Sequence, residues 1–347
     1  MRILAIGGTG FVGSFLMPSL QSQGHEIAIL HRHQTVQDAV TTIVGSRNDL
    51  QSAAPAIRDF KPEVVIDLIL SSEAQAKAAM QLFRGIARRY VALSSMDVYR
   101  AVGVLHGTEP GPLQQLPLTE DSELRSKPPY GKKNLEALSQ LVDWATPDYD
   151  KVPAERIVLG DPELPGTIMR LPAIYGPGDY LHRLWPYLKR IDDGREFIIL
   201  PDDLAQWRWT RGYVENVAQA IALATTDDRA AGRTHNVGEP EAFSELEWAQ
   251  KIAQAVGWTG KFLVLPREQT PAHLRMPGNL AQHWVASTGR IRNELGYCET
   301  VSLEEALRRT IAWERAHPPE KPLTQFDYAA EDAAAASGNE SMAGHVK

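Results

Sequence analysis

Three glycines stand at fixed intervals close to the start of the chain, in Gly7-Gly8-Thr9-Gly10-Phe11-Val12-Gly13. An apolar run, Ile3 to Ile6, leads into them, and residues at helical spacing (Phe11, Val12, Phe15, Leu16, Leu20) lead out. In that context glycine permits a tight turn and lets backbone approach a diphosphate, while the helix start adds free N–H groups and the positive end of its dipole. Gly7, Thr9, Gly10, Phe11, Val12 and Gly13 are therefore the candidate dinucleotide cradle, with a G-x-x-G-x-x-G spacing in place of the commoner G-x-G-x-x-G. Where a second strand ends, an NAD site carries an acid for the ribose hydroxyls, but this chain has His31-Arg32-His33. The planar fork of Arg32 suits a 2′-phosphate, which puts NADP ahead of NAD. His31 and His33 have no carboxylate or cysteine beside them, and no metal is assigned. Cys298 is the single cysteine, so the chain closes no internal disulfide.

Short apolar runs alternating with helix-period segments predict βαβ units around a parallel sheet. Strands are expected at Ile3 to Ile6, Glu26 to Leu30, Thr41 to Val44, Val64 to Leu68, Tyr90 to Leu93 and Thr167 to Leu171, each apolar enough to be covered on both faces. Helices are expected from Phe11 to Gly24, with Pro18 as a local disturbance, from Glu73 to Ile86 and from Val214 to Thr225. Two more open on Ser244…Glu247 and Ser302…Glu305, which have the capping-box pattern. The Gly- and Pro-rich stretch from Ala101 to Pro129 predicts a functional loop or lid, and the Ala/Ser/Gly/Asn-rich tail beyond Tyr328 predicts disorder. The reading is an α/β protein: a Rossmann-type doubly wound parallel sheet with a smaller C-terminal α/β substrate lobe. Residues 1–175 supply mainly the dinucleotide domain, with 101–147 as a loop insertion, residues 176–327 mainly the substrate lobe, and 328–347 the tail.

Composition narrows the function classes. The 347 residues are 43% hydrophobic and 23% charged, an ordinary globular balance, and carry a net charge of -7 without a basic run. Nucleic acid is a disfavoured partner on that electrostatic footprint, and no apolar stretch is long enough for a bilayer, so a soluble cytoplasmic protein acting on a small molecule is expected.

Several further motifs stand in a fixed order: Leu93-Ser94-Ser95-Met96-Asp97-Val98-Tyr99, Met169-Arg170-Leu171-Pro172-Ala173-Ile174-Tyr175-Gly176-Pro177, Gly212-Tyr213-Val214-Glu215-Asn216-Val217-Ala218 and His235-Asn236-Val237-Gly238. With the glycine loop they resemble the extended short-chain dehydrogenase/reductase superfamily, specifically its NAD-dependent epimerase/dehydratase branch. The resemblance implies that Ser95 holds a substrate carbonyl oxygen, that Leu68 and Pro172 lie against the dinucleotide, and that Asp97 faces the same cleft. It also implies a Tyr-x-x-x-Lys proton-transfer pair, and here the chain departs. Tyr130, in Pro129-Tyr130-Gly131-Lys132-Lys133-Asn134, has Asn134 at the lysine position; Lys151, with Glu155 and Arg170 beyond it, has Pro147 at the tyrosine position and Tyr149 two residues away. Lys151 takes the lysine role, and Tyr149 and Tyr130 both remain candidates for the tyrosine. In the family the lysine and oxidised nicotinamide lower a phenol from a reference pKa of about 10 toward neutrality, a change of roughly 4 kcal/mol.

On the substrate side, Gln206-Trp207-Arg208-Trp209-Thr210-Arg211 offers Arg208 and Arg211 as a phosphate clamp and Trp207 or Trp209 as a stacking surface, and His182 and Arg183 fall near the cleft by resemblance. The function read here is an NAD(P)-dependent oxidoreductase or epimerase at a hydroxyl or carbonyl carbon of a sugar or nucleotide-sugar-like substrate. The alternative is an NAD(P)-binding sensor or scaffold with weak or no turnover. Family members often pair through two helices, which the resemblance carries over as a possible homodimer, while the residues themselves leave the oligomeric state open.

Overall fold

A computed structural model describes residues 1–34, 40–131, 135, 136, 139 and 146–343. Its strands are β1 (Arg2–Ile6), β2 (Glu26–His31), β3 (Val40–Val44), β4 (Val64–Asp67), β5 (Arg89–Ser95), β6 (Gly166–Leu171), β7 (Ala173–Tyr175), β8 (Phe197–Pro201), β9 (Arg211–Tyr213), β10 (Thr234–Asn236) and β11 (Lys261–Leu265). Seven of them form one sheet in the order β10-β6-β5-β4-β1-β2-β3, parallel throughout. Strand order reverses between β1 and β4, the crevice where open α/β sheets bind ligands. Side-chain alternation sends Ile3 and Ala5 of β1 to one face and Leu4 and Ile6 to the other. The first face is covered by helices Gly13–Ser22 and Val214–Thr226, the second by Ala54–Phe60, Glu73–Phe83 and Lys151–Leu159. Both faces are dry, which is why these strands read as apolar runs.

A second core, with Tyr175, Leu188, Ile198, Trp248 and Ile311, gathers helices Trp185–Asp192, Glu245–Ala255 and Leu303–Ala316 around the two-stranded pairs β8–β11 and β7–β9. Helix Glu245–Ala255 opens on the full capping box, Ser244 and Glu247 serving each other's backbone N–H. At Ser302 only half of it forms: Ser302 accepts from the Glu305 N–H, while Glu305 itself is drawn to Arg308 and Arg309. Helix Gly13–Ser22 runs through Pro18, whose ring is exposed and leaves the buried stripe Leu16, Met17 and Leu20 in place.

Two segments differ from expectation. The loop predicted from Ala101 begins as a helix, Arg100–His106, with Gly107 closing it in the left-handed region at φ 71°. Its burying residues (Ala101, Val102, Val104, Leu105) are small and apolar, a short stripe that the neighbouring glycines and prolines obscure. Beyond it the chain is stitched down: the Leu118 N–H donates to Val285 O at 2.8 Å, and Leu118 O accepts from the Ser287 N–H at 2.7 Å. The tail predicted as disordered forms a helix, Tyr328–Ala343. Alanine favours helix, and Glu331 anchors it, fully buried and bonded to Arg190 and His273.

Candidate active site

At the β1 end, Gly7 adopts φ 85°, a left-handed conformation that glycine takes without strain, and a Cβ there would stand 2.7 Å from Ile69 beyond β4. A Cβ at Gly13 would overlap the Gly8 carbonyl, so turn and helix meet this closely only because both residues lack side chains. A Cβ at Gly10 would enter open space, its nearest neighbour being Gly7 O at 4.0 Å, and Thr9 and Gly10 are exposed. Val12 caps the helix without a side-chain hydrogen bond. A helix start that no side chain serves, an open glycine turn and the strand-order reversal together fit a diphosphate-bearing dinucleotide. Phe11 meets Tyr180 edge-on at 6.4 Å, and the Leu68 N–H is held by Ile6 O at 2.9 Å. Pro172 is half-buried against Gly212, and Arg32 is exposed just past β2. A pair that the sequence reading missed closes the β4 end: Arg47 Nε lies 2.6 Å from buried Asp67, which also accepts from the Tyr90 hydroxyl at 2.6 Å.

The candidate catalytic residues gather past the ends of β4 and β5. Ser95 Oγ accepts from the Asp97 N–H at 3.1 Å and so caps the turn at Met96–Val98, leaving its hydroxyl hydrogen free to donate elsewhere. That turn aims Asp97, only 1% exposed, inward. Tyr149 donates to Asp97 Oδ2 at 2.8 Å and Tyr130 at 3.5 Å, their rings 5.9 Å apart. Tyr149 lies just ahead of the helix Lys151–Leu159, whose N-cap is Asp150, and this placement lets it reach inward although it is two residues from the lysine. Lys151 Nζ donates to Leu70 O and, at 3.1 Å, to Leu93 O, and stands 5.7 Å from the Tyr149 ring centroid. Both candidate tyrosines are thus brought to one carboxylate, and the lysine lies beside them. Asn134, the lysine position of the Tyr130 motif, is outside the described residues. Burial, then the Asp97 charge, push the Tyr149 and Tyr130 phenols up, and burial pulls the Lys151 ammonium down.

Comparison with known proteins matches residues 3–238 to the NAD dependent epimerase/dehydratase family. The chain belongs to this family. Among curated members it is 25% identical to a 3-diazoavenalumate denitrifying reductase of a Streptomyces species, over 86% of this chain and 96% of that one. It is 23% identical to the dTDP-glucose 4,6-dehydratase of Streptomyces niveus, over 91% and 93%. Its fold is that of the Thermus thermophilus UDP-glucose 4-epimerase solved in complex with NAD, with a TM-score of 0.62 at 22% identity over 91% of this chain and 100% of that one.

In this family member the residues proposed to clamp a phosphate are otherwise engaged. Arg211 is buried, paired with Glu245, and enclosed by the Trp209 and Trp248 rings at 5.2 and 4.5 Å. Arg208 pairs with Glu247 at 3.0 Å and donates to Ala242 O. With its charge already matched by a carboxylate, neither guanidinium forms the free clamp that the sequence suggested. Trp207 is a buried anchor whose indole N–H donates to Gln282 O at 3.0 Å, so the stacking role cannot be its own. His182, in the left-handed region at φ 47°, bonds Glu314 at 2.7 Å, and Arg183 pairs with Asp179; both fasten the loop after β7. Among the described residues no group of three or more His, Cys, Asp or Glu is arranged to hold a metal ion, and no helix is long and apolar enough to cross a membrane. No motif points to Arg125, which is buried beside Asp97, or to His106, whose ring lies 5.9 Å from that of Tyr130.

Proposed function

We propose that this chain is an NAD(P)-dependent oxidoreductase or epimerase acting at a hydroxyl or carbonyl carbon of a sugar or nucleotide-sugar-like molecule, with Asp97 and Tyr149 as its proton-handling couple. The convergence of two tyrosine hydroxyls on one buried carboxylate, beside Lys151 and at the sheet edge that carries the glycine loop, is the observation that supports it most directly. When bound, the nicotinamide supplies the hydride acceptor or donor. Gly7 to Gly13 would hold its diphosphate, and Lys151, which has two of its three N–H donors on backbone carbonyls, would hold the ribose with the third.

A phenol pushed up by burial does not ionise by itself near neutrality, so the base is Asp97 acting through the phenol. As Tyr149 takes the proton of a substrate hydroxyl it passes its own to Asp97 Oδ2, and in the reverse direction Asp97 returns it. Ser95 donates its hydroxyl hydrogen to the substrate oxygen and holds it against Tyr149. General acid–base action of this kind contributes about 10²- to 10⁴-fold to rate.

The substrate body is assigned to the C-terminal lobe. A cavity of about 220 Å³ is lined by Ile198, Leu200, Leu204, His273, Met276 and Thr324 among others. Leu204 and Met276 also join the aromatic seam of Trp207, Trp209 and Trp284, and the Trp284 indole N–H donates to Met96 O, next to Asp97. The relatives named for dTDP-glucose and UDP-glucose support a nucleotide sugar, and we keep residues 1–175 as mainly the dinucleotide domain and 176–327 as mainly the substrate lobe. Arg32 favours NADP over NAD; Arg32→Ala should weaken NADP at least tenfold more than NAD in a fluorescence titration, and equal losses would remove the preference. A homodimer is tested by light scattering.

Nicotinamide binding followed by hydride transfer with UDP-glucose, dTDP-glucose and simple carbonyl compounds tests the enzyme reading. Turnover that falls at least a hundredfold in Asp97→Asn supports it. Tight cofactor binding without hydride transfer to any of them would favour a sensor.

A further inference from the structure

We infer that Arg125 is the positioning residue of the acid–base couple: one buried guanidinium ties together the three chain segments that carry Asp97, Tyr130 and Tyr149–Lys151, and faces the free oxygen of Asp97. The inference rests on the couple proposed above. Arg125 is 2% exposed and belongs to no helix or strand. Its own N–H donates to Val98 O at 2.8 Å, and its Nε to Asp97 O at 2.9 Å, so it grips the turn that aims the carboxylate. Its Nη1 donates to Lys127 O at 2.9 Å, three residues before Tyr130. The same nitrogen lies 2.8 Å from Asp150 Oδ1, and that oxygen also caps the helix Lys151–Leu159 by accepting from the Val152 N–H at 3.1 Å. Asp150 directly follows Tyr149 and directly precedes Lys151.

The remaining nitrogen, Nη2, stands 3.9 Å from Asp97 Oδ1. Among the described residues neither atom has a hydrogen-bond partner, although both are buried. Unmatched buried groups of opposite sign that face each other across this gap are rare, because each forfeits its hydration. Here the arrangement leaves Oδ2 to the two phenols and Oδ1 to the cation, so the guanidinium faces the carboxylate without competing for the oxygen that accepts the proton. The charged and titratable groups around that carboxylate are Tyr130 and Tyr149 from the loop and the helix cap, Arg125 itself, and Lys151, whose ammonium senses the Asp97 charge. A lysine at position 125 would keep the charge but not the planar fork that reaches Asp97 O, Lys127 O and Asp150 together.

The test begins on the full chain without added ligand, by urea unfolding at neutral pH. Removing the cation in Arg125→Met should lower the unfolding midpoint, and should lower it much less in an Asp97→Asn background, because groups that face each other in one buried network do not act additively. Arg125→Lys should recover only part of the loss. An equal loss in both backgrounds, or no loss at all, would overturn the assignment. If Arg125→Met does not fold, Arg125→Lys decides by rate. With NADP and UDP-glucose or dTDP-glucose as probes, Arg125→Lys should lower kcat about tenfold, the loss of one charge-assisted hydrogen bond, at unchanged cofactor affinity. A kcat within twofold of the parent, in a protein where Asp97→Asn is inactive, rejects Arg125 and leaves the couple standing. Full activity in Asp97→Asn rejects the couple itself.

Discussion

Replacing Tyr149 by phenylalanine removes a single oxygen from a site where its partner has few others. Among the described residues Asp97 Oδ2 would keep only the Tyr130 hydroxyl at 3.5 Å, at the outer limit of a hydrogen bond, and Oδ1 would keep only the guanidinium at 3.9 Å. A hydrogen bond to a charged group is worth about 1.5 to 3 kcal/mol, and at 1% exposure water cannot replace it. Tyr149→Phe should therefore lower stability by about 2 kcal/mol, and turnover by about 10²- to 10⁴-fold. Tyr130→Phe, which removes the longer contact, should lower stability by less than about 1 kcal/mol. Urea unfolding at neutral pH, with hydride transfer measured on the same preparations, checks both. The reasoning is refuted if the order inverts, with Tyr130→Phe the more destabilising and Tyr149→Phe still turning over.

Gly13→Ala should weaken cofactor binding at least about tenfold by calorimetry, because the new methyl group overlaps the Gly8 carbonyl and opens the turn. Glu239, which accepts from the Tyr175 hydroxyl at 2.7 Å, is pushed up to about 7 by burial. Its folded pKa lies above its unfolded one, so its contribution to stability is fully present below about 4.5 and declines as pH rises toward 7, by roughly 3 kcal/mol in all. Glu239→Gln should flatten that interval in a series of urea titrations, and an unchanged slope would contradict it. Glu331→Gln leaves Arg190 buried without its counter-charge and should destabilise by about 3 to 5 kcal/mol, with amide exchange in Tyr328–Ala343 accelerating first.

What the sequence showed plainly was local. The strands are apolar runs because both sheet faces are covered, the glycine loop is read from neighbours in sequence, and Ser244 with Glu247 closes a box within one helical turn. What it hid depended on distance along the chain. Arg211 looked like a phosphate ligand because its carboxylate, Glu245, comes from another helix, and Arg125 looked like any loop arginine because Asp97 and Asp150 reach it from opposite directions. Tyr130 and Tyr149 both stayed open in the sequence because the reach of Tyr149 depends on where a helix begins, a boundary that side-chain periodicity places only within a few residues. The tail was misjudged for a related reason: a run of alanines can be a solvated coil or a helix, and the groups that dock it, Glu331 on Arg190 and Asp332 on Arg195, find their arginines far back in the chain.

The seventh strand of the main sheet has a consequence for how the molecule is made. β10 pairs with β6, and Asn236 takes the Tyr99 hydroxyl at 2.6 Å while Tyr99 also accepts from Arg170, itself bound to Glu155. A ribosome delivers Tyr99, Glu155 and Arg170 well before it delivers Asn236, so a nascent chain holds these groups near a raw sheet edge while the intervening lobe is still being synthesised. During that interval β6 is an open template for pairing with another chain. Translation pauses between β6 and β10 should therefore promote aggregation, and a chaperone that shields this edge should raise the yield of folded protein.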